Sequence, residues 1–391
     1  MRSTSCKEIA QEVLDACLAG KPPRDLPHAL IEEPCSTALF GVLAEGLADR
    51  FEPKLCEAYA RLFSQAVASA SEADASHLLS RYGYVRRLRP VTFEPKTVIV
   101  LSRVTLGADV AVTSVLLDAS KKRFPNANIL FAGPRKNYEL FVADWRLEHV
   151  PIEYPRSGLR ERLAAAKELR AAASDPDCLV LDPDSRLTQL GLAEICPEER
   201  YRLFESRCYG SDTNDNLTTL TARWAEKTLG ITGAVPYIAT AESVMREARI
   251  AVSLGVGGNL AKRIADPFEE RLLALLAQRG LPIWIDKGAG GPEAERVERA
   301  VARAGADVRF WEGSFAGFAA IVAGSALYVG YDSAGQHVAA ACDVPLVCIF
   351  AGFPSPRMFD RWRTIGPERR VIRVDDPDPD RVLQSVSAVL Q

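Results

Sequence analysis

The sequence predicts an α/β protein, with two Rossmann-like domains facing a cleft behind an all-helical N-terminal extension. Three observations carry that reading. Short β-branched runs alternate with amphipathic helical stretches from about residue 97 onward, the pattern of parallel sheets covered on both faces. The rhythm lapses between residues 184 and 245 and then restarts, which divides it into two halves. Residues 1 to about 90 show helical periodicity and no strand pattern.

In the extension, Ser5 and Glu8 form an S-x-x-E capping box before Ile9, Val13, Leu14, Cys17 and Leu18, which follow at helical spacing. Gly20 stops that helix ahead of Pro22-Pro23. Two further apolar helical patterns, residues 38–48 and 55–68, are separated by Phe51-Glu52-Pro53. In the first half, strands are expected at 97–102, 128–134, 149–154 and 178–182. Helices are expected at about 109–123, after the second strand, and at 158–173. Residues 210–216 are a dense run of turn formers and read as a loop. In the second half, strands are expected at 250–254, 282–285, 307–311, 327–330 and 345–350. Helices at about 266–279, 292–304, 314–324 and 335–342 join them, and a last helix starts at 379. The expected boundaries are 1–92 for the extension, 93–240 for an acceptor domain and 241–391 for a donor domain. The last helix is a candidate to pack back on the first lobe.

At 391 residues the chain can bury more than one core, and its 48% hydrophobic and 25% charged content is ordinary for a globular protein. A net charge of −3, with basic residues scattered, gives no bulk attraction for nucleic acid. The nine cysteines show no C-x-x-C pair and irregular spacing, which argues against a disulfide framework or a zinc site and for a reducing cytoplasm. The opening Met1-Arg2-Ser3-Thr4-Ser5-Cys6-Lys7-Glu8 has no apolar core, so no signal peptide is expected. Residues 313–331 form an uncharged run of 19, near bilayer length, but four glycines interrupt it. A buried helix feeding a buried strand accounts for it better than a transmembrane segment.

In doubly wound sheets, ligands sit beyond the carboxyl ends of the strands. Three sequence patterns fall there. Leu106-Gly107-Ala108-Asp109 opens the first helix of the first half. Asp109 there is either an N-cap or a general base for an acceptor hydroxyl. Asp332-Ser333-Ala334-Gly335-Gln336-His337 opens a helix in the second half. Ser333 and Gln336 fit an S-x-x-Q capping box, and the same helix start can receive a diphosphate. His337 is one of only four histidines and lies in the first turn, where an imidazole can donate to a phosphate oxygen. Residues 253–263 form a glycine-rich turn out of the first strand of the second half. Gly257, Gly258 and Asn259 can wrap phosphate there and Lys262 can supply a point charge; a plain strand-to-helix connection fits as well. Arg186, Arg207 and Asn214 are candidates for the acceptor side, and equally ordinary surface groups.

These residues carry a family resemblance. Over roughly residues 97–375 the chain resembles glycosyltransferase family 9, the ADP-heptose:lipopolysaccharide heptosyltransferases. The family's L-G-D-x-x-x-T-T-P opening is approximated by residues 106–114, with Arg123-Phe124-Pro125 at the R-x-F/Y-P position. Its closing G-N-D-S-G-P-x-H-L-A-A-A-L-G-V-P is matched more closely by residues 330–345. The departures are Ala108 as an extra residue before the acid, Val115 for a proline, and Ala334 and Gly335 for glycine and proline. The glycine turn also lacks the family's proline and tryptophan.

The resemblance implies a B-type glycosyltransferase fold and an inverting transfer that needs no metal and no cofactor. The nucleotide-diphosphate sugar, an ADP-linked one by family analogy, is a substrate. Asp109 matches the family's base and Lys262 its phosphate-contacting lysine. Asp332, Ser333 and His337 match positions that hold donor sugar and diphosphate. The implied partners are a nucleotide-sugar donor and a glycan or lipid-linked acceptor, in the cytoplasm, with peripheral inner-membrane association as an option. Two other classes stay open: a nucleotide-sugar epimerase on the same fold, and a degenerate member kept as a binding scaffold.

Overall fold

The structure is a computed structural model that describes every residue except 1–4, 72, 157, 243 and 289. The first four residues of the opening segment therefore lie outside the described residues. The chain divides into two compact units. Unit 1 comprises residues 1–105, 112–138 and 145–235; unit 2 comprises residues 106–111, 139–144 and 236–391.

Unit 1 is built on a five-stranded parallel sheet: β1 (Thr97–Leu101), β2 (Asn128–Gly133), β3 (Leu147–Pro151), β4 (Cys178–Asp182) and β5 (Tyr201–Leu203). The order is β3-β2-β1-β4-β5, with Thr97 opposite both Asn128 and Cys178. The chain thus winds outward from β1 through β3, returns across β1, and winds outward again, so the strand order reverses between β1 and β4. Apolar residues fill β1 and β4 without alternation because helices cover both faces of the sheet.

The helices of the extension share one core with this sheet: Leu14, Leu43 and Phe63 cluster with Ile99, Leu101 and Val180. The helix Cys6–Leu18 starts with the expected capping box, Glu8 Oε2 accepting from Ser5 N at 2.7 Å and Ser5 Oγ from Glu8 N at 3.3 Å. A broad turn, Leu39–Ala44, sits between Ser36–Ala38 and Glu45–Ala48, and Pro53–Ala70 and Ala75–Val85 complete the set.

One expectation is overturned here. Cys6 and Cys35 form a disulfide with Cα atoms 5.1 Å apart. Sequence spacing does not reveal it, because folding brings the start of the first helix beside a turn 29 residues away. Seven other cysteines are free thiols.

Unit 2 holds a six-stranded parallel sheet: β6 (Ile250–Ser253), β7 (Ile283–Asp286), β8 (Val308–Trp311), β9 (Leu327–Tyr331), β10 (Leu346–Phe350) and β11 (Arg369–Arg373). Its order, β11-β10-β9-β6-β7-β8, reverses between β6 and β9. The uncharged run is the buried helix Phe315–Ala323 followed by β9, as expected. Among the described residues, no helix is long and apolar enough to cross a membrane. The last helix, Pro379–Leu390, packs within its own unit: Val382 and Val386 enter the core around β6, and Arg279 donates to the Leu390 carbonyl at 2.7 Å.

Candidate functional site

The reversal of strand order in unit 2 brings the carboxyl ends of β6 and β9 side by side, with Ser253 paired to Gly330. Two of the three sequence-singled segments leave the sheet at this point. Such a switch point opens a crevice into which both following turns project.

The turn after β9 begins with Asp332, whose N–H donates to Ile349 O at 3.1 Å. Ser333 is fully extended (φ −153°, ψ −177°) and precedes the helix Ala334–Ala341. The expected capping box does not form. Ser333 makes no side-chain cap and instead lies 3.3 Å from the Tyr328 hydroxyl. Gln336 turns back to donate to Asp332 Oδ1 at 2.5 Å, leaving its own Oε1 buried without a hydrogen-bond partner. The carboxylate of Asp332, one residue ahead of the cap, competes better for the amide than the Ser333 backbone does. Gly335 permits a close approach of backbone to ring: a Cβ there would lie 2.4 Å from Tyr328 Oη and 2.6 Å from its ring carbons.

Lys262 reaches this turn from the other side of the switch point. Its Nζ lies 2.6 Å from Asp332 Oδ2 and 3.2 Å from the Asp332 carbonyl, with both side chains largely buried. His337, 8% exposed, stands edge-on to Trp362 with ring centroids 5.7 Å apart. Burial drives its pKa down to about 4; the Asp332 carboxylate works against that shift and the Lys262 ammonium adds to it. At neutral pH His337 is a neutral imidazole with one N–H to donate.

The glycine turn that carries Lys262 is only partly available for wrapping phosphate. Its amides at Val256 and Gly257 already donate to Glu293 Oε2, at 3.0 and 3.3 Å. Gly257 has φ +58°, a left-handed conformation that favours glycine. Gly258 and Asn259 are exposed, and Asn259 Oδ1 accepts from Ala261 N at 3.1 Å, capping the short turn Leu260–Lys262. The turn rests on the loop after β10, where a Cβ at Gly352 would meet Ala261 C at 2.4 Å. It is anchored from below by Glu269, a fully buried carboxylate that accepts from Arg263 Nε at 3.3 Å, Tyr331 Oη at 3.1 Å and an Arg296 guanidinium. Sequence reasoning missed Glu269 and Glu293 because nothing in their own segments marks them; only the folded chain brings them under the turn.

The helix that opens with Leu106 contributes to the same unit. Leu106–Ala108 is helical, Asp109–Thr113 forms a wide π turn, and Ser114–Arg123 continues it. Asp109 is therefore the fourth residue of the helix, which removes the N-cap alternative. Wide turns of this kind are often found at functional positions. Before it, buried Val104 is held at φ +71°, a strained conformation for a β-branched residue, with its N–H donating to Ser102 Oγ at 2.8 Å. The Asp109 side chain has no exposed surface. A Cβ on Gly107 would come within 3.0 Å of His337 Cδ2 and 3.1 Å of Ala334 Cα, so this helix start lies directly against the one after Ser333. The structure thus brings Lys262, Asp332, Ser333, Ala334, Gly335, Gln336 and His337 to one place, with Gly107 in contact and Asp109 two residues on. Gly257, Gly258 and Asn259 lie on the exposed part of the same turn.

Residues 265–387 match the family model described as glycosyltransferase family 9 (heptosyltransferase). No curated protein matches the chain. Among solved structures, it is similar to the E. coli heptosyltransferase WaaC with ADP: TM-score 0.57 and 17% identity, over 75% of this chain and 99% of that one. It is also similar to a family 9 glycosyltransferase from Veillonella parvula: TM-score 0.55 and 16% identity, over 75% of this chain and 97% of that one. The E. coli ADP-heptose lps heptosyltransferase II gives a TM-score of 0.51 at 20% identity, over 75% of this chain and 98% of that one. The resemblance read from the closing motif and the two-sheet α/β fold are both borne out. The chain carries a glycosyltransferase family 9 domain over residues 265–387, on the fold of the heptosyltransferases, and is by class a glycosyltransferase.

Proposed function

We propose that the chain is an inverting, metal-independent glycosyltransferase that moves a heptose-like sugar from a nucleoside-diphosphate donor, ADP-linked, to a cell-envelope glycan or lipid acceptor. The observation that carries this reading is the Lys262 ammonium drawn across the β6/β9 switch point to Asp332, beside the neutral imidazole of His337. A cation, a neutral N–H donor and a helix start converge there, as a departing diphosphate requires. The similar structures bound to ADP and named for ADP-heptose suggest the nucleotide and the sugar.

In this mechanism Asp109 takes the proton of an acceptor hydroxyl. The acceptor oxygen bonds to the anomeric carbon from the face opposite the diphosphate. The bond from that carbon to the diphosphate oxygen breaks, and its electron pair stays on the diphosphate. Lys262, His337 and the N–H groups following Ser333 then hold the added charge, so no metal or cofactor enters. For Asp109 to act, the acceptor hydroxyl must enter space that neighbouring groups now fill, since its side chain is fully buried. We place the reaction in the cytoplasm, at the inner membrane surface when the acceptor is lipid-borne: seven of the nine cysteines are free, and the Cys6–Cys35 disulfide weighs against this placement.

The test is a thermal-shift panel of nucleotide sugars, followed by turnover of the donor that stabilises the chain. The expected result is stabilisation by an ADP-linked sugar and a fall in transfer of about 10²- to 10⁴-fold in Asp109→Asn, with donor binding retained. Stabilisation by no donor supports the scaffold alternative. Undiminished transfer by Asp109→Asn removes the base.

A further inference from the structure

Unit 1 contains a cavity of about 220 Å³ that the donor site does not account for. One wall comes from the N-terminal helices, through Phe40, Gly41, Glu45 and Tyr59. The other comes from chain that leaves the carboxyl ends of the sheet: Tyr154 and Arg156 after β3, Arg186 and Gln189 after β4, and Arg207 after β5. It therefore occupies the edge of a doubly wound sheet where ligands bind.

The lining is rich in guanidinium. Arg156, Arg162, Arg186 and Arg207 line the cavity against only two acids, Glu45 and Asp49. Arg162 is structural: it lies 3.7 Å over the Phe40 ring and donates to Tyr154 Oη at 2.7 Å and to the Arg156 carbonyl at 3.0 Å. Arg207 is buried and ion-paired, with Asp184 Oδ2 2.6 Å from its Nη1, while its Nε is buried without a hydrogen-bond partner. A buried N–H donor left without an acceptor on a cavity wall is costly unless a ligand fills it. Arg186 meets Glu45 only loosely, at 3.4 Å, and Arg156 is exposed at the cavity rim. Burial raises the pKa of Glu45 despite Arg186, which weakens the acid side further. Aromatic faces at Phe40, Tyr59 and Tyr154 supply flat apolar walls beside these donors.

We infer that this cavity binds a sugar bearing an anionic group, a phosphate or a carboxylate, with Arg186, Arg207 and Arg156 holding the anion and the aromatic side chains flanking the ring. Planar guanidinium groups suit either anion, because both offer paired oxygens. The helical extension is then a working wall of the site. The solved structure of WaaC is covered almost entirely by 75% of this chain, so about a quarter of the chain has no counterpart there. The assignment of this sugar as the acceptor rests on the glycosyltransferase reading; the binding itself does not.

Calorimetry on the full chain tests it with three probes: glucose 6-phosphate, glucuronate and glucose. The expected result is binding of one or both anions, with glucose weaker by about tenfold or more. Which anion binds identifies the group recognised. Arg186→Gln and Arg156→Gln are each expected to weaken that binding by about tenfold, with melting temperatures unchanged. Gly41→Leu provides a steric variant, since Gly41 lines the cavity and a Cβ there meets nothing within 4 Å. It is expected to abolish binding. Binding of neither anion, equal binding of glucose, or undiminished binding in the variants overturns the inference. A chain that binds glucose 6-phosphate but not ADP keeps this inference and loses the donor reading. One that binds ADP but neither anion does the reverse.

Discussion

Lys262 and Asp332 stand seventy residues apart in sequence, yet the ammonium of one lies 2.6 Å from the carboxylate of the other. The pair closes the gap between the turns that follow β6 and β9, the two strands at which the order of the sheet reverses. Each partner also has a second tie: Lys262 to the Asp332 carbonyl, and Asp332 to the Gln336 amide. On the proposed reading, a diphosphate entering here would meet a cation already positioned by an acid that it displaces.

The protonation of His337 sets a pH dependence. Its folded pKa is about 4 against an ordinary 6.5, so the unfolded chain takes up the proton more readily. This contribution to stability is fully present above about pH 6.5 and is lost as pH falls toward 4, by up to about 3 kcal/mol. Asp332 and Lys262 are the charged groups that face it. Urea unfolding between pH 4 and 7 is expected to show a steeper acid loss in the wild type than in His337→Asn. Parallel curves would remove the effect.

Glu269 is the buried support of the lysine-bearing turn. Glu269→Ala leaves Arg263 and Arg296 without their shared carboxylate and Tyr331 without its acceptor. The expected loss is about 3–5 kcal/mol, read as a lower denaturant midpoint. A loss below about 1 kcal/mol would mean that the turn is held by other contacts.

Two glycines provide a matched comparison. Gly335→Ala drives a Cβ into the Tyr328 hydroxyl and ring and is expected to cost about 1–3 kcal/mol. Gly258→Ala points into open space and is expected to stay within about 0.5 kcal/mol of the wild type. Equal melting temperatures for the two variants would contradict the packing described around Gly335.

Much of this architecture was legible in the sequence because buried parallel strands write themselves as apolar runs. β1, β4, β6, β9 and β10 each fall within a residue or so of their expected bounds. β11 was not legible: three of its five residues are arginine, and it pairs only with β10 at the sheet edge. β5 is three residues long, too short for periodicity to register. The helices Leu217–Leu229 and Pro356–Trp362 sit in stretches whose turn formers and prolines mask them.

At the candidate site, residue types were legible and pairings were not. Lys262, Asp332 and His337 stood out by motif, but the recruitment of Gln336 by Asp332 in place of a capping box depends on backbone geometry at Ser333. The Cys6–Cys35 disulfide and the arginine-lined cavity of unit 1 both depend on how the N-terminal helices pack, which local patterns do not encode.

The most direct test of the central claim, that Lys262 and the turn at Asp332 cradle a nucleoside diphosphate, is a calorimetric titration of ADP into the wild type and Lys262→Ala. The wild type is expected to bind ADP, and the variant to bind it at least about tenfold more weakly while remaining folded. Equal affinity in the two proteins, or no ADP binding by the wild type, would contradict it.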